Sequence, residues 1–216
     1  MYIPSHFQEE RAEVLHEFIR AHPFATLVTQ GPAGMIASHI PLLLDASASI
    51  LRGHLARANP QWKEFEVGVD ALVIFNGPHH YISPSWYPSK AEHGKVVPTW
   101  NYVAVHAYGR IRIVEDRDRL LDHLRKLTDS QEAGNPDRWR VDDAPADYIE
   151  GLTRAIVGVE IEIGRLEGKW KVSQNRPAAD RQAVAARLRE FGDESALAMA
   201  ELIEKSGTPV EQEREI

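Results

Sequence analysis

Apolar residues and turn-forming residues alternate along the first third of the chain. Within residues 9–21, apolar side chains recur at helical spacing, which predicts an amphipathic helix that Pro23 ends. Apolar and β-branched runs then favour strands, with turns between them. The predicted strands cover residues 24–29, 36–44, 50–55 and 71–75, with a short helix over 60–66.

Residues 77–98 interrupt this pattern. They contain prolines at positions 78, 84, 88 and 98 and few apolar repeats. We expect a long loop here, and a loop of this length inside a compact domain is more often functional than not.

The second half of the chain carries the strongest strand signal. Apolar and polar residues alternate along Tyr102–Val114, which predicts a long strand, and Asp116 is suited to cap the helix that follows. Residues 130–146 are polar and are predicted to lie on the surface. The remaining pattern predicts a β-hairpin that turns at Glu167 and Gly168, then two helices; these elements cover residues 156–166, 169–173, 180–191 and 195–205.

The predicted strands mostly follow one another through short turns. A parallel doubly wound sheet needs a helix between nearly all of its strands, so the pattern excludes that class. The sequence therefore predicts an α+β fold, in which an antiparallel sheet closes into a small barrel and helices pack at its ends.

Composition narrows the possible functions. The chain has 25 basic and 32 acidic residues, and this net charge of −7 argues against non-specific nucleic-acid binding and against docking on an anionic membrane. Direct DNA binding is disfavoured further because no helix-turn-helix pattern is present. The chain has no cysteine, and its ten histidines lack metal-ligand spacing, so no metal site is predicted. No signal layout and no apolar run of about 20 residues occurs, so we expect a cytoplasmic protein.

Aromatic residues concentrate between positions 75 and 108, which hold seven of the 17 in the chain. Tyrosine and tryptophan cluster where a surface binds something flat or apolar. A ligand site, a corner of the core and a subunit interface are all compatible with this pattern. One face of the long strand is predicted to lie at or near a two-fold interface, and its residues are Tyr102, His106, Tyr108, Arg110 and Arg112.

Two short polar segments offer hydrogen-bond donors. Residues 53–62 join a strand end to a helix start and contain Arg57 and Asn59, the parts of a phosphate-monoester site or of an ordinary capped helix. Residues 169–176 end in Gln174–Arg176, which could bind a heterocycle edge or a phosphate, or form a solvated strand end.

Six segments, in chain order, resemble the PaiB family of FMN-binding split-barrel proteins, which are named as negative transcriptional regulators of sporulation and degradative-enzyme genes. The segments are MYIPSHF, HPFATLVT, SHIPLLL, LRGHLARANPQW, VPTWNYVAVHAYGRI and KWKVSQNRPAADR. The resemblance implies that residues 1–190 form a split-barrel flavin-binding domain. Residues 191–216 are then a C-terminal helix and tail, packed on this domain or extending from it.

The resemblance further implies a homodimer, related to pyridoxamine-phosphate oxidase and flavin reductases, with one FMN at each end of its interface. The isoalloxazine ring is expected against the backbone of Ser38, His39, Ile40, Pro41 and Leu42. The phosphate is expected near His54, Leu55, Ala56, Arg57 and Asn59. The partner chain is expected to contribute Thr99, Trp100, Asn101, Tyr102, Lys171, Ser173, Gln174, Asn175 and Arg176.

The phosphate site departs from related sites, which often use several basic groups. Apart from Arg57, the first polar segment offers only Lys63 further along. Phosphate affinity is therefore expected to depend on the helix start and on Arg176 or Lys171.

Three functions stay open at this point. The first is an FMN-binding regulator of gene expression, acting through a partner or a small molecule. The second is an FMN-dependent oxidoreductase, of the flavin reductase or pyridoxamine-phosphate-oxidase type. The third is a haem-binding or haem-degrading protein, with an axial ligand from His39, His54, His79, His80 or His106. Whether the protein is an enzyme is left open by the sequence.

Overall fold

A computed structural model of the chain describes residues 1–65 and 69–206. In these residues eight strands form one antiparallel sheet, in the order β3-β2-β6-β7-β8-β5-β4, and β1 pairs with β8. The strands are Gln8–Glu9 (β1), Phe24–Gly31 (β2), Gly34–Pro41 (β3), Leu43–Asp45 (β4), Ile50–Ala56 (β5), Ala71–Ile82 (β6), Thr99–Val114 (β7) and Ile156–Lys171 (β8). The predicted antiparallel α+β class is thus observed.

Seven α-helices accompany this sheet in the described residues. They are Ala12–Ala21 (α1), Gln61–Glu64 (α2), Ser89–His93 (α3), Arg117–Gln131 (α4), Ala146–Arg154 (α5), Ala178–Phe191 (α6) and Glu194–Lys205 (α7). Helix α4 begins as predicted, because the Asp116 side chain accepts a hydrogen bond from the Arg119 N–H at 2.9 Å. Residue 66, at the end of the predicted short helix, and the charged tail from residue 207 onward lie outside the described residues.

The chain divides into two compact units. The first unit contains residues 1–11, 76–105 and the described residues from 167 onward, and the second contains residues 12–75 and 106–166. Fully buried side chains from two helices form much of the core of the first unit; these are Val184, Leu188, Met199 and Ile203. In the second unit the largest buried side chains come from α1 and the sheet; they include Ile19, Leu27, Leu51, Phe75 and Ile161. Burying such apolar surface is the main favourable term in folding.

The predicted strand over residues 36–44 is divided at Leu42. Strand β3 pairs with β2, whereas β4 pairs with β5, so the chain changes its pairing partner between them. Leu42 is buried at this point, and its N–H donates to the Pro23 carbonyl at 2.8 Å. The break leaves β3, with Ser38, at the end of the strand order.

The predicted hairpin at Glu167 and Gly168 is wrong. A single strand, β8, runs through both residues, because Gly168 pairs with Glu9 and Lys169 pairs with Gln8 in the short strand β1. The long loop expected over residues 77–98 is also only partly correct. Strand β6 continues to Ile82, and α3 forms further along, so the irregular chain is shorter than predicted. Helix α5 was not predicted.

Gly109 of β7 is a position where the fold tolerates no side chain. An added Cβ would lie 2.0 Å from the carbonyl oxygen of Glu162. We expect Gly109→Ala to lower the free energy of unfolding by about 3 kcal/mol or to prevent folding, because a backbone atom cannot move aside locally.

Gly164 provides the matched control for this change. An added Cβ there would meet the Tyr108 carbonyl oxygen at 3.8 Å, an ordinary contact. Gly164→Ala should therefore change the free energy of unfolding by about 1 kcal/mol or less. Urea denaturation followed by circular dichroism measures both, and equal losses would contradict the close approach at Gly109.

Candidate functional site

The predicted flavin-binding residues fall into two groups, which we name by one member each. The Ser38 cluster comprises residues 38–42 and 54–59, all in the second unit. The Lys171 cluster comprises residues 99–102 and 171–176, all in the first unit.

Within the Ser38 cluster, a side-chain hydrogen bond joins β3 to the segment after β5. The Asn59 amide donates to the Ser38 hydroxyl at 2.9 Å. His39 is exposed and its ring lies 3.0 Å from the Thr26 hydroxyl, while Ile40, Leu42 and Leu55 are buried in the core. The apolar members can therefore offer a ligand little more than backbone.

The Arg57 guanidinium is occupied by hydrogen bonds within the protein. It donates to the carbonyl oxygens of Arg154 at 3.0 Å and Ile156 at 3.2 Å, and to the Glu115 carboxylate at 2.6 Å. The charge of Arg57 is thus paired with an acid, and three of its N–H groups already have acceptors. This side chain is less available to a phosphate than the sequence suggests.

Most backbone N–H groups around the start of helix α2 have acceptors within the protein. The helix has four residues, and the Asn59 side chain accepts from the Gln61 N–H at 3.0 Å. The N–H groups of Arg57, Asn59 and Lys63 donate to backbone carbonyls at 2.8–2.9 Å. These four N–H groups are therefore not available to an anion.

The Lys171 cluster brings together residues far apart in the sequence. The Lys171 ammonium donates to the Thr99 hydroxyl at 2.5 Å, and the buried Asn101 amide donates to the Ser173 hydroxyl at 2.8 Å. These side chains line a cavity of about 60 Å³ together with Phe7, Tyr87, Asn175 and Arg176. None of the described residues that line this cavity is acidic.

Two cations share this cavity. The Arg176 guanidinium lies over the Tyr87 ring, with its carbon 4.9 Å from the ring centroid. Burial, followed by the nearby charges of Lys169 and Arg176, lowers the pKa of Lys171. An anion placed between Lys171 and Arg176 would relieve this repulsion, so the donor set fits a phosphate group.

The turn that carries these residues has an unusual backbone. Ser173 has a φ of +63°, in the left-handed region that residues other than glycine rarely adopt. Its carbonyl accepts from the Arg176 N–H at 2.9 Å, and the Gln174 side chain bonds to the N–H of Val172 and the carbonyl of Trp170. Gln174 therefore shapes the turn from within.

The other predicted members differ in accessibility. Trp100 is 51% exposed, whereas Tyr102 lies beside the Lys169 ammonium, 5.2 Å from its ring centroid. Sequence reasoning did not select Phe7 and Tyr87, which also line the cavity. Phe7 ends the segment MYIPSHF, and Tyr87 belongs to the aromatic-rich stretch, so both signals were present in the sequence.

Residues 1–165 match the protein family described as "Putative FMN-binding domain". The chain belongs to this family. It is 38% identical over 208 residues to "Protease synthase and sporulation protein PAI 2" of Bacillus subtilis, a match that covers 94% of this chain and 97% of the relative. It is 34% identical over 245 residues to an uncharacterized protein of Emericella nidulans, covering 96% and 98%. The resemblance to the PaiB family is confirmed.

Solved structures share the fold of this FMN-binding family member. The flavocytochrome Anf3 from Azotobacter vinelandii matches with a TM-score of 0.58 and 16% identity, covering 76% of this chain and 69% of that one. An FAD and heme binding protein from Mycobacterium smegmatis matches with a TM-score of 0.56 and 16% identity, covering 76% and 73%. The predicted split-barrel class is confirmed, and the family assignment supports FMN as the cofactor.

The described part of this family member offers neither a membrane-spanning helix nor a cluster of metal ligands. Among residues 1–65 and 69–206, no helix combines the length and apolarity needed to cross a membrane. The same residues contain no group of three or more metal-ligating side chains.

His54, a member of the Ser38 cluster, is paired with a second histidine, His123. Nδ1 of His54 is 3.2 Å from Nε2 of His123, which is only 6% exposed. Burial lowers the pKa of His54, and burial followed by the neighbouring His54 and Arg52 lowers the pKa of His123 to about 4. Both histidines are therefore held in the neutral form near neutral pH.

This histidine pair makes stability depend on pH. In the unfolded chain His123 binds a proton below about pH 6.5, but in the folded chain only near pH 4, so stability should fall as the pH drops through this window. We expect His123→Gln to reduce this slope, measured as the urea midpoint at several pH values. The exposed His93→Gln is the control, and a slope unchanged by both substitutions would exclude His123 as its source.

Proposed function

We propose that the protein binds FMN with its phosphate in the Lys171 cluster. The observation that carries this proposal is the cavity of about 60 Å³, whose described lining contains no acid. It is lined by Lys171 and Arg176 and by the hydroxyl and amide groups of Thr99, Asn101, Ser173 and Asn175. Charge-assisted hydrogen bonds from such groups are the strong ones for a phosphate. The cavity has room for a phosphate group rather than for a ring system.

Arg57 is the competing phosphate ligand, and its surroundings argue against it. It is paired with Glu115 and with two carbonyl oxygens, so a phosphate would have to replace bonds already formed. Lys171 and Arg176 have no acidic neighbour among the described residues of their cavity. We therefore assign the phosphate to the Lys171 cluster and the ring to the backbone of the Ser38 cluster.

We also propose a homodimer in which one chain supplies the Ser38 cluster and its partner supplies the Lys171 cluster. Strand β3 lies at the end of the strand order, and Ser38, His39 and Pro41 along it are half-buried or exposed, so a flat ligand can lie beside them. In the first unit, the exposed Trp100 and Tyr81 rings lie 6.2 Å apart and offer an aromatic surface. FMN bound between the chains would supply electron transfer at its ring.

We also propose that the protein affects gene expression indirectly. An effect on gene expression is implied by the family resemblance, and the name of the Bacillus subtilis relative supports it. Four of the five best candidates for a DNA-binding surface already have acidic partners. Arg110 lies 3.9 Å from Asp70, and Arg112 lies 2.5 Å from Glu160. On α6, Arg187 and Arg189 are paired with Glu190 and Glu204. The fifth, Arg181, donates to the Arg176 carbonyl at 2.9 Å, and one such charge does not make a basic stripe along a phosphate backbone.

The phosphate assignment is tested by comparing two flavins. Lys171→Met should weaken FMN about tenfold or more and riboflavin, which lacks the phosphate, very little, because one charge-assisted hydrogen bond is lost. Arg57→Met should change the affinity for both flavins by the same small factor. Fluorescence titration of purified protein gives both constants. A selective loss of FMN in Arg57→Met would move the phosphate to the Ser38 cluster.

Mixing two defective variants tests the dimer. Ser38→Trp places a large ring over the Ser38 cluster, and Lys171→Met removes a charge from the other cluster. If each site combines clusters from two chains, exchange of subunits between the variants restores about one quarter of the FMN sites. No restoration after exchange, or a monomer in light scattering, would contradict the shared site.

If the protein affects gene expression indirectly, it should bind DNA only weakly. We expect the purified FMN-loaded protein to bind duplex promoter DNA only in the non-specific range, with a Kd of about 10⁻⁴–10⁻⁶ M or weaker at physiological salt. An anisotropy titration measures this constant. Nanomolar binding that survives competitor DNA would mean that dimerisation creates a basic surface.

The same FMN-loaded sample tests the two other functions. Steady NADH oxidation would place the protein among FMN-dependent oxidoreductases. A Soret band that develops on haem addition would favour a haem protein instead. Flavin absorbance without either result supports the regulatory role.

A further inference from the structure

A second cavity, of about 670 Å³, lies in the second unit. Its walls come from α1, α4, β7, β8 and the β4–β5 hairpin, and no residue of the Ser38 or Lys171 cluster lines it. Small-molecule sites usually have volumes of about 300–1,000 Å³. The flavin proposal leaves this cavity without a role.

Part of the cavity wall is apolar. Leucine and valine side chains from three strands and α4 form this part; they are Leu43, Leu44, Val114, Leu120 and Val159. A ligand with an apolar body would therefore remove both its own surface and this wall from water.

The charged part of the wall contains three acids, each held by a basic residue that also lines the cavity. Arg52 and Arg119 donate to Glu160 at 3.0 and 2.6 Å, and Arg52 donates to Asp45 at 2.6 Å. The third acid, Asp122, accepts from Lys126 at 2.6 Å. These acids are therefore not available to bind a cation.

Arg20 of α1 is the fourth basic residue of the wall. Among the described residues it has no hydrogen-bond or ion-pair partner, so the lining carries one uncompensated positive charge. A monoanion would balance this charge. A guanidinium also matches a carboxylate in shape, because it can donate two parallel N–H groups.

His123 supplies a second polar group to the wall. Its Nε2 is engaged with His54, but its buried Nδ1 has no hydrogen-bond partner in the described part of the chain. Leaving such a nitrogen unsatisfied is costly, and native structures rarely do so. A polar atom of a bound molecule would satisfy it.

We propose that this cavity binds a small carboxylic acid with an apolar body. The carboxylate pairs with Arg20, the apolar body lies against Leu43 and Leu120, and a polar group of the ligand reaches His123. This site is independent of the flavin, so one protein responds to two small molecules.

The test uses benzoate and phenylacetate as probes on FMN-saturated protein, with benzyl alcohol as the uncharged comparison. We expect saturable binding of at least one acid by calorimetry, with a Kd of about 1 mM or tighter, and about tenfold weaker binding of the alcohol. Arg20→Gln should weaken the acid about tenfold. The matched control is Arg117→Gln, because Arg117 is exposed like Arg20 but does not line the cavity.

Two further measurements distinguish binding in this cavity from binding at a different site and from a general loss of structure. His123→Phe should weaken the acid while circular dichroism stays unchanged, and Arg20→Gln should leave the FMN affinity unchanged. Any one of three results overturns the proposal: no saturable binding of either acid at about 10 mM, the same effect from Arg20→Gln and Arg117→Gln, or displacement of the acid by FMN.

Discussion

The second unit depends on a buried negative charge. Glu160 of β8 is only 4% exposed, and its carboxylate accepts hydrogen bonds from Arg52, Arg112 and Arg119 at 2.6–3.0 Å. Burial acts to raise the pKa of Glu160, but the hydrogen bonds from the three arginines outweigh it, so the net effect lowers the pKa. A buried carboxylate is tolerated only with such partners, which fixes β5, β7 and α4 against β8.

Several local features follow from this arrangement. Because Arg119 anchors the first turn of α4, His123 one turn later lies beside His54 of β5. Because Arg52 reaches both Glu160 and Asp45, the β4–β5 hairpin is tied to β8. The cavity between these elements therefore has walls that are held by charge as well as by apolar packing.

Local signals in the sequence predicted much of the fold. The Asp116 cap predicted where α4 begins, because this signal lies next to the first turn that it caps. The hairpin at Glu167 and Gly168 was wrong for the opposite reason. The strand that pairs with Gly168 is β1, more than 150 residues earlier, and its two residues carry no strand signal of their own.

The candidate site was likewise predictable from the sequence only in part. The polar segments were recognisable as sources of donors, but their acceptors were not, since Glu115 reaches Arg57 across 58 residues and Thr99 reaches Lys171 across 72. The left-handed turn at Ser173 was also beyond sequence reasoning, because serine does not mark such a conformation as glycine does. The sequence therefore could not show which of the two basic residues, Arg57 or Lys171, is already paired with an acid.

The change of strand pairing at Leu42 affects how the edge of the sheet can associate with other molecules. Strand β3 ends at Pro41, which has no N–H to donate to a neighbouring strand, and its exposed side chains include His39. Edge strands with these features resist the addition of a strand from another molecule. The addition of a strand from a second molecule is therefore disfavoured at this edge, which opposes aggregation by continuous sheet growth there.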